Sequence, residues 1–186
     1  MKNVELQKQI LVDSHVSIHA LEERDAANLF RLTERNRARL KQWLPWLDDT
    51  RTQADTLRFI QGAEKAFESK TGLHAKILLR GQIAGTIGLH YIDWVNARTS
   101  IGYWLGAEFE GRGIMARSCR ALIDYLFKEL KMNRVEILIA PGNKKSQAIP
   151  RKLGFTEEGT LRQYARMYTQ FADHIVYSVL AKEWDR

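Results

Sequence analysis

A single cysteine, Cys119, is all the thiol this 186-residue chain holds. It has no partner for an internal disulfide, and no Cys/His cluster accompanies it at zinc-site spacing. Proline is scarce, at three residues, and no stretch rich in Pro, Gly or Ser marks a linker. No apolar run approaches the ~18 residues that would cross a bilayer. The N-terminus, Met1-Lys2-Asn3-Val4-Glu5, puts no apolar segment behind its basic start, so a secretory leader is not expected and the cytoplasm is. Neither an internal repeat nor a low-complexity tract divides the chain. A single domain over residues 1–186 is expected, without membrane contact.

What is present is an ordinary globular complement, 45% hydrophobic and 27% charged, with a formal net charge of +7. A basic excess favours anionic partners such as nucleic acid or a phosphorylated cofactor. The densest stretch holds Arg31, Arg35, Arg37, Arg39 and Lys41 against Glu34. A solvated helix face accounts for it more simply than an RNA-binding stripe, and no zinc finger, RRM signature or helix-turn-helix is present.

Periodicity orders the chain. Val16 to Leu21 alternates as a strand, and Asp25 to about Trp43 carries a helical apolar stripe. Pro45 stops that helix, and a second begins at Thr52, where Thr52 and Asp55 stand at capping-box spacing, and runs to about Ser69. Ala75–Leu79, a turn at Arg80-Gly81-Gln82 and Ile83–Tyr91 form a hairpin. Thr99–Leu105 is a further strand, followed by Gly111, Gly113 and a long amphipathic helix from Ile114 to Leu130. A strand over Arg134–Ala140, a short helix from Lys145 to Leu153, and strands over Phe155–Leu161 and His174–Ala181 complete the order. The fold expected is α/β (α+β): a mixed, mostly antiparallel sheet, helices on both faces, and one central parallel crossover.

The chemistry concentrates where Thr99–Leu105 runs through Glu110-Gly111-Arg112-Gly113 into the helix at Ile114-Met115-Ala116. The first N–H groups of a helix lack internal acceptors and carry partial positive charge, and glycine lets a ligand approach the backbone. Strand, glycine turn and helix start together suit a phosphate or pyrophosphate. Gly-x-Gly alone also occurs in ordinary turns, and this is neither a Walker A loop nor Gly-x-Gly-x-x-Gly.

A second segment, Asn143-Lys144-Lys145-Ser146 through Leu153-Gly154-Phe155, gives the pair its meaning. Together they resemble the GCN5-related N-acetyltransferase (GNAT) family, and most closely its ribosomal-protein alanine/serine (RimJ/RimL-like) subgroup. The resemblance rests on Ile-Gly-Tyr-Trp-Leu at 101–105, Gly-x-Gly-Ile-Met at 111–115, Asn-Arg-Val at 133–135, Asn-x-x-Ser-x-Ala at 143–148, Leu-Gly-Phe at 153–155 and Glu-Gly at 158–159. It extends from about Val16 to Trp184. Three residues depart from the family: Glu110 where Gln or Arg is usual, Met115 where Gly or Ala is usual, and Ser100 where many relatives carry Glu.

The resemblance implies two splayed central parallel strands holding acetyl-CoA. Tyr103, Trp104, Leu105, Glu110, Gly111, Arg112, Gly113, Ile114, Met115 and Ala116 would bind it, together with Asn143 and Ser146. A main-chain N–H near Leu105 would face the thioester carbonyl. Ser146 would protonate the departing sulfur, with Asn143 beside it; a plain helix cap explains Asn143 equally well. The base stays open among Glu108, His90 and Asp93. An α-amine, with a pKa of about 7.7–8.0, needs less help than a lysine near 10.4, which favours an N-terminal acceptor. Trp43, Trp46, Tyr91, Trp94 and Tyr164 would shape the acceptor groove, with Tyr168 closing it; core packing is the alternative for the first two. Cys119 reads as a buried small hydrophobe rather than an acyl carrier.

The implied activity is acetyl transfer to a protein N-terminus, ribosomal or other, with transient ribosome contact and a monomeric or homodimeric state. A small-amine acetyltransferase and a non-catalytic acyl-CoA sensor are the alternatives.

Overall fold

A computed structural model describes residues 5–184; the first four residues of the N-terminal stretch read above for a leader lie outside these. Eight strands form one sheet in the order β1-β2-β3-β4-β5-β6-β8-β7. They are β1 (Gln9–Leu11), β2 (Val16–Ala20), β3 (Leu73–Leu79), β4 (Gln82–Asp93), β5 (Arg98–Leu105), β6 (Arg134–Ile139), β7 (Thr156–Met167) and β8 (Gln170–Leu180). Every pairing is antiparallel except β5 with β6. The helices are α1 (Ala26–Leu40), α2 (Gln53–Glu68), α3 (Ile114–Lys128), α4 (Lys144–Lys152) and α5 (Ala181–Trp184). No helix among the described residues is long and apolar enough to cross a membrane.

The helices cover both faces because their apolar stripes match the alternation of the strands. Ile114, Cys119, Leu122, Ile123 and Leu126 of α3 join Ile101, Val135 and Ile137 in the main core. Leu29 of α1 and Ile60 of α2 pack with Ile83 and Trp104 in a second cluster. Thr52 caps α2 as its spacing predicts, accepting from the Asp55 N–H while the Asp55 carboxylate accepts from the Thr52 N–H.

The structure departs from the sequence reading at four places. β1 precedes the expected first strand; three mostly exposed residues are too few to show a period. α1 ends at Leu40 rather than near Trp43, and Pro45 opens a one-turn 3-10 helix over Pro45–Asp48, since its missing N–H costs nothing at a first helical position. β4 runs on to Asp93, and β5 begins at Arg98. The connection expected between the last two strands is instead a continuation of both: Tyr164 lies within β7 and only Tyr168 and Thr169 form the tip. β7 is an edge strand exposed along most of its length, so its sequence lacks the apolar alternation that would mark it.

Most of the basic stretch is paired at the surface of the fold. Arg35 pairs with Glu108 at 3.4 Å and Lys41 with Asp48 at 2.6 Å. Arg37 reaches Glu34 and the carbonyls of Leu47 and Thr50. Arg39 reaches Glu110 and the Leu105 carbonyl. Arg35, Arg37, Arg39 and Lys41 thereby tie α1 to the connections on either side of it, while Arg31 contacts Asn28 on the same exposed helix face.

Candidate active site

β5 and β6 pair only at Arg98–Arg134, Thr99–Val135 and Ser100–Glu136. Beyond Ser100 they diverge, leaving the Ile101–Leu105 edge of β5 without a neighbour on that side. Gly106 N–H donates to the Ala84 carbonyl at 2.8 Å. Peptide groups alternate sides along a strand, so the Leu105 N–H and carbonyl point the opposite way, into the gap. The Arg39 guanidinium takes that carbonyl. The Leu105 N–H is left facing the opening, where a donor could meet a carbonyl oxygen.

The turn after β5 is pinned from α1. Buried Asn36 accepts from the Ala107 N–H at 2.8 Å and donates to the Leu32 carbonyl at 3.0 Å, and Phe109 is buried beneath. Gly111 and Gly113 have φ of 74° and 67°, the left-handed region that L side chains avoid. Gly113 is the N-cap of α3 and supplies no side-chain cap. Consequently the N–H groups from Gly111 to Ala116 donate to no acceptor among the described residues. They form a curved row of donors at the positive end of a 15-residue helix. The geometry suits a diphosphate.

Glu110 sits beside this row with its charge answered: Arg39 binds one carboxylate oxygen, and Lys145 of α4 binds the other at 2.9 Å. Arg117, one turn into α3, donates to the Arg112 carbonyl at 2.9 Å and pairs with Asp13 at 2.8 Å, holding the loop from behind. Sequence reasoning missed Arg39, Lys145 and Arg117 as loop residues because each lies on an element other than the loop.

Across the gap, Asn143 accepts from the Ser146 N–H at 3.2 Å and so caps α4. The Ser146 hydroxyl lies 3.3 Å from the Tyr103 phenol oxygen, and that phenol donates to the Ser146 carbonyl at 3.1 Å. Burial pushes the Tyr103 pKa up, so the phenol keeps its proton. Burial likewise pushes the Cys119 thiol up, and the side chain is wholly enclosed, out of reach of an acyl group.

A cavity of about 520 Å³ opens at this point. Ile101 to Trp104, Ile137 to Ile139, Asn143 and Ser146 line it, together with Trp43, Leu44, Pro45, Trp46 and His174. No Asp, Glu, Lys or Arg lines it. Trp43 leans on the start of α4, its ring 3.2 Å from where a Cβ on Gly142 would stand. The β7–β8 tip is tied over the same side: the Tyr168 hydroxyl lies 2.5 Å from the Lys41 carbonyl, and the Lys41 ammonium lies over the Tyr168 ring.

The residues expected at an acceptor groove therefore separate. Trp43 and Trp46 are in the wall, and Tyr164 packs against the lining residue His174 with ring centres 5.5 Å apart. Tyr91 and Trp94 are elsewhere: the Tyr91 hydroxyl faces Glu136 at 3.3 Å, and the Trp94 indole donates to the Lys70 carbonyl at 2.8 Å, fixed by core packing below a turn. Of the base candidates, Glu108 is engaged by Arg35 and Asn36. Asp93 is held by Asn96 and Arg98, which bring its pKa down to about 2. His90 alone is in the wall.

The acetyltransferase (GNAT) domain description fits residues 15–156. The chain belongs to the GNAT acetyltransferase family. As a GNAT enzyme it is an acetyl-CoA-dependent N-acetyltransferase. It is 40% identical to Bacillus subtilis YdaF, provisionally named a ribosomal N-acetyltransferase, over 94% of this chain and 96% of that one. A solved RimL, a ribosomal L7/L12 alpha-N-protein acetyltransferase in complex with coenzyme A, superposes with a TM-score of 0.89 at 27% identity, covering 92% and 97% of the two chains. Microcin C7 self-immunity acetyltransferase MccE, solved with acetyl-CoA and AMP, gives 0.88 at 27% identity, over 91% and 94%.

Proposed function

We propose that this GNAT enzyme acetylates the N-terminal α-amine of a protein, with ribosomal proteins the first acceptors to examine. The observation that carries this reading is the uncharged wall of the cavity. A polyamine or a lysine side chain arrives as a strong cation and would be met by carboxylates, and none lines the cavity. An α-amine, with a pKa of about 7.7–8.0, is partly neutral at physiological pH and needs no such partner. The names of YdaF and RimL point the same way.

In this reading the bound donor supplies an activated acyl carbon and a thiol leaving group. The amides from Gly111 to Ala116 hold the diphosphate, and Arg39 and Lys145 keep Glu110 from repelling it. The Leu105 N–H stabilises negative charge as it develops on the acyl oxygen. Ser146, whose hydroxyl is positioned by its hydrogen bond to the buried Tyr103 phenol, would turn its hydroxyl proton to the departing sulfur, while Asn143 fixes the turn that presents Ser146. Trp43, Trp46 and Tyr164 form the approach for the acceptor.

Incubation of the purified protein with acetyl-CoA and ribosomes, followed by intact-mass measurement of the ribosomal proteins, tests this. Addition of one acetyl group to an N-terminus is expected, and an unchanged mass for every ribosomal protein would refute the ribosomal acceptor. The aromatic lining and the likeness to MccE support a second reading, in which a small aromatic amine is the acceptor. Thiol release with small amines but not with N-terminal peptides would select it.

A further inference from the structure

His74 on β3 is in register with Gly88 on β4, and Gly88 with Gly102 on β5. Two residues along β4, His90 turns its ring across that row. A Cβ built on Gly102 would fall 2.3 Å from His90 Nε2 and 2.6 Å from Cε1, so the imidazole tip fills the space where a side chain at 102 would begin. A Cβ on Gly88 would come 3.2 Å from His74 Nδ1 and 2.5 Å from the Leu73 carbonyl. Gly102 thus makes room for the His90 imidazole, while Gly88 lets the β3 backbone approach beside His74.

Both rings line the cavity, and among the described residues neither makes a hydrogen bond; His19, bonded to Ser17, is the one imidazole that does. His90 is reached by solvent through the mouth, while His74 is held edge-on by Phe59, with ring centres 5.3 Å apart. Gly102 adjoins Tyr103, whose phenol meets Ser146. An imidazole without a hydrogen-bond partner at a cavity wall has acid–base chemistry to offer.

We infer that His90 is the base that takes the proton from the acceptor amine. This rests on the acetyl-transfer reading above and supplies the group that reading lacks. In the balance of the step, a nitrogen–carbon bond replaces the acyl carbon–sulfur bond. The proton leaving nitrogen goes to His90 and on to water, and the proton reaching sulfur comes from Ser146, which takes one back from water.

The surroundings keep the ring ready. Enclosure by the wall holds His90 below its ordinary 6.5, and His74 is lowered by burial and then by the proximity of His90. The titratable groups facing the same space are His74 from β3, Tyr103 from β5 and His174 from β8, while α1 and α2 present Thr33, Thr56 and Phe59. With no carboxylate to raise it, His90 is unprotonated at neutral pH and able to accept.

The test uses the full chain, acetyl-CoA, peptides beginning with Ser or Ala, and benzylamine as a second acceptor, with thiol release as the readout. His90→Gln is expected to lower turnover by about 10²-fold or more, with acetyl-CoA affinity by calorimetry unchanged and with the deficit shrinking as pH rises. Free imidazole is expected to restore His90→Ala, and NMR titration of wild-type His90 should give a midpoint below 6.5. Wild-type rates and pH profile in His90→Gln would overturn the assignment. So would an acetyl-CoA-binding His90→Ala that imidazole does not rescue. If peptides fail and benzylamine reacts, the N-terminal acceptor falls while the test of His90 proceeds; if neither releases thiol, both readings fall together.

Discussion

The Ser146 hydroxyl and the Tyr103 phenol oxygen lie 3.3 Å apart at the point where β5 parts from β6. Burial keeps the phenol protonated; it accepts from the Ser146 hydroxyl and donates to the Ser146 carbonyl, which fixes where that hydroxyl stands. Ser146→Ala should lower turnover by about 10²-fold, within the usual range for a lost acid–base group, and leave acetyl-CoA affinity close to wild type. Tyr103→Phe should give a smaller loss of the same kind. Calorimetry and steady-state thiol release separate binding from turnover in both.

Glu110 is the side chain that most visibly opposes an anionic ligand, and Arg39 and Lys145 neutralise it. Glu110→Gln should free both cations for the diphosphate. We expect acetyl-CoA to bind tighter by about 3–10-fold, near the ~1 kcal/mol ceiling of an exposed ion pair. The gain should shrink in high salt. Weaker binding in the variant would mean that Glu110 shapes the loop.

Gly113 is held at φ of 67° immediately before α3, and its Cβ position lies 3.2 Å from Arg117 Nη1. Gly113→Ala should cost about 1–2 kcal/mol in backbone strain. It should also weaken acetyl-CoA binding by re-aiming the amides. Thermal unfolding with and without acetyl-CoA reads both effects at once: the ligand-induced rise in Tm should be smaller in the variant.

Lys76 and Asp25 form an ion pair with side chains 8% and 9% exposed, the ammonium reaching both carboxylate oxygens at 2.7 and 2.6 Å. It joins β3 to the start of α1 beneath the cavity's α1–α2 wall. Lys76→Met leaves the carboxylate buried without a counter-charge and should destabilise by about 3–5 kcal/mol. Denaturant unfolding measures this, and the double variant Lys76→Met/Asp25→Leu should recover much of the loss.

His74 and His90 give the stability a sign with pH. Their folded pKa values lie below 6.5, so the unfolded chain binds more protons just below that pH and stability falls as pH drops through it. Replacing His74 by Gln should flatten the fall in Tm between pH 7 and 5. An unchanged slope would place the acid sensitivity elsewhere.

Sequence alone was enough for the skeleton wherever periodicity was long: α2 with its Thr52 cap, the β3–β4 hairpin, α3, and the strand–glycine–helix unit that carries the amides. It could not show where exposure erases period. β1 is three residues long, and β7 is an edge strand exposed at nearly every position, so polar and apolar residues do not alternate along it. Ser146 and Asn143 stood out through the family resemblance of their segment, since spacing alone fits a plain helix cap as well. The partners of Glu110 did not, because Arg39 lies 71 residues away and Lys145 lies 35 away. Trp94 misled: an indole in a turn suggested a groove, and its N–H instead closes on the Lys70 carbonyl.

The parallel ladder between β5 and β6 stops after three residue pairs, and the sheet there is pierced rather than sealed. The amide row belongs to α3, and the indoles of Trp43 and Trp46 belong to the connection between α1 and α2, helices on opposite faces. On the proposed assignment the two reactants have separate doors and can be resident together. No acyl group has to be parked on the protein between arrivals, and Cys119, sealed in the core, could not park one. Double-reciprocal rate plots at several fixed donor concentrations should therefore intersect rather than run parallel.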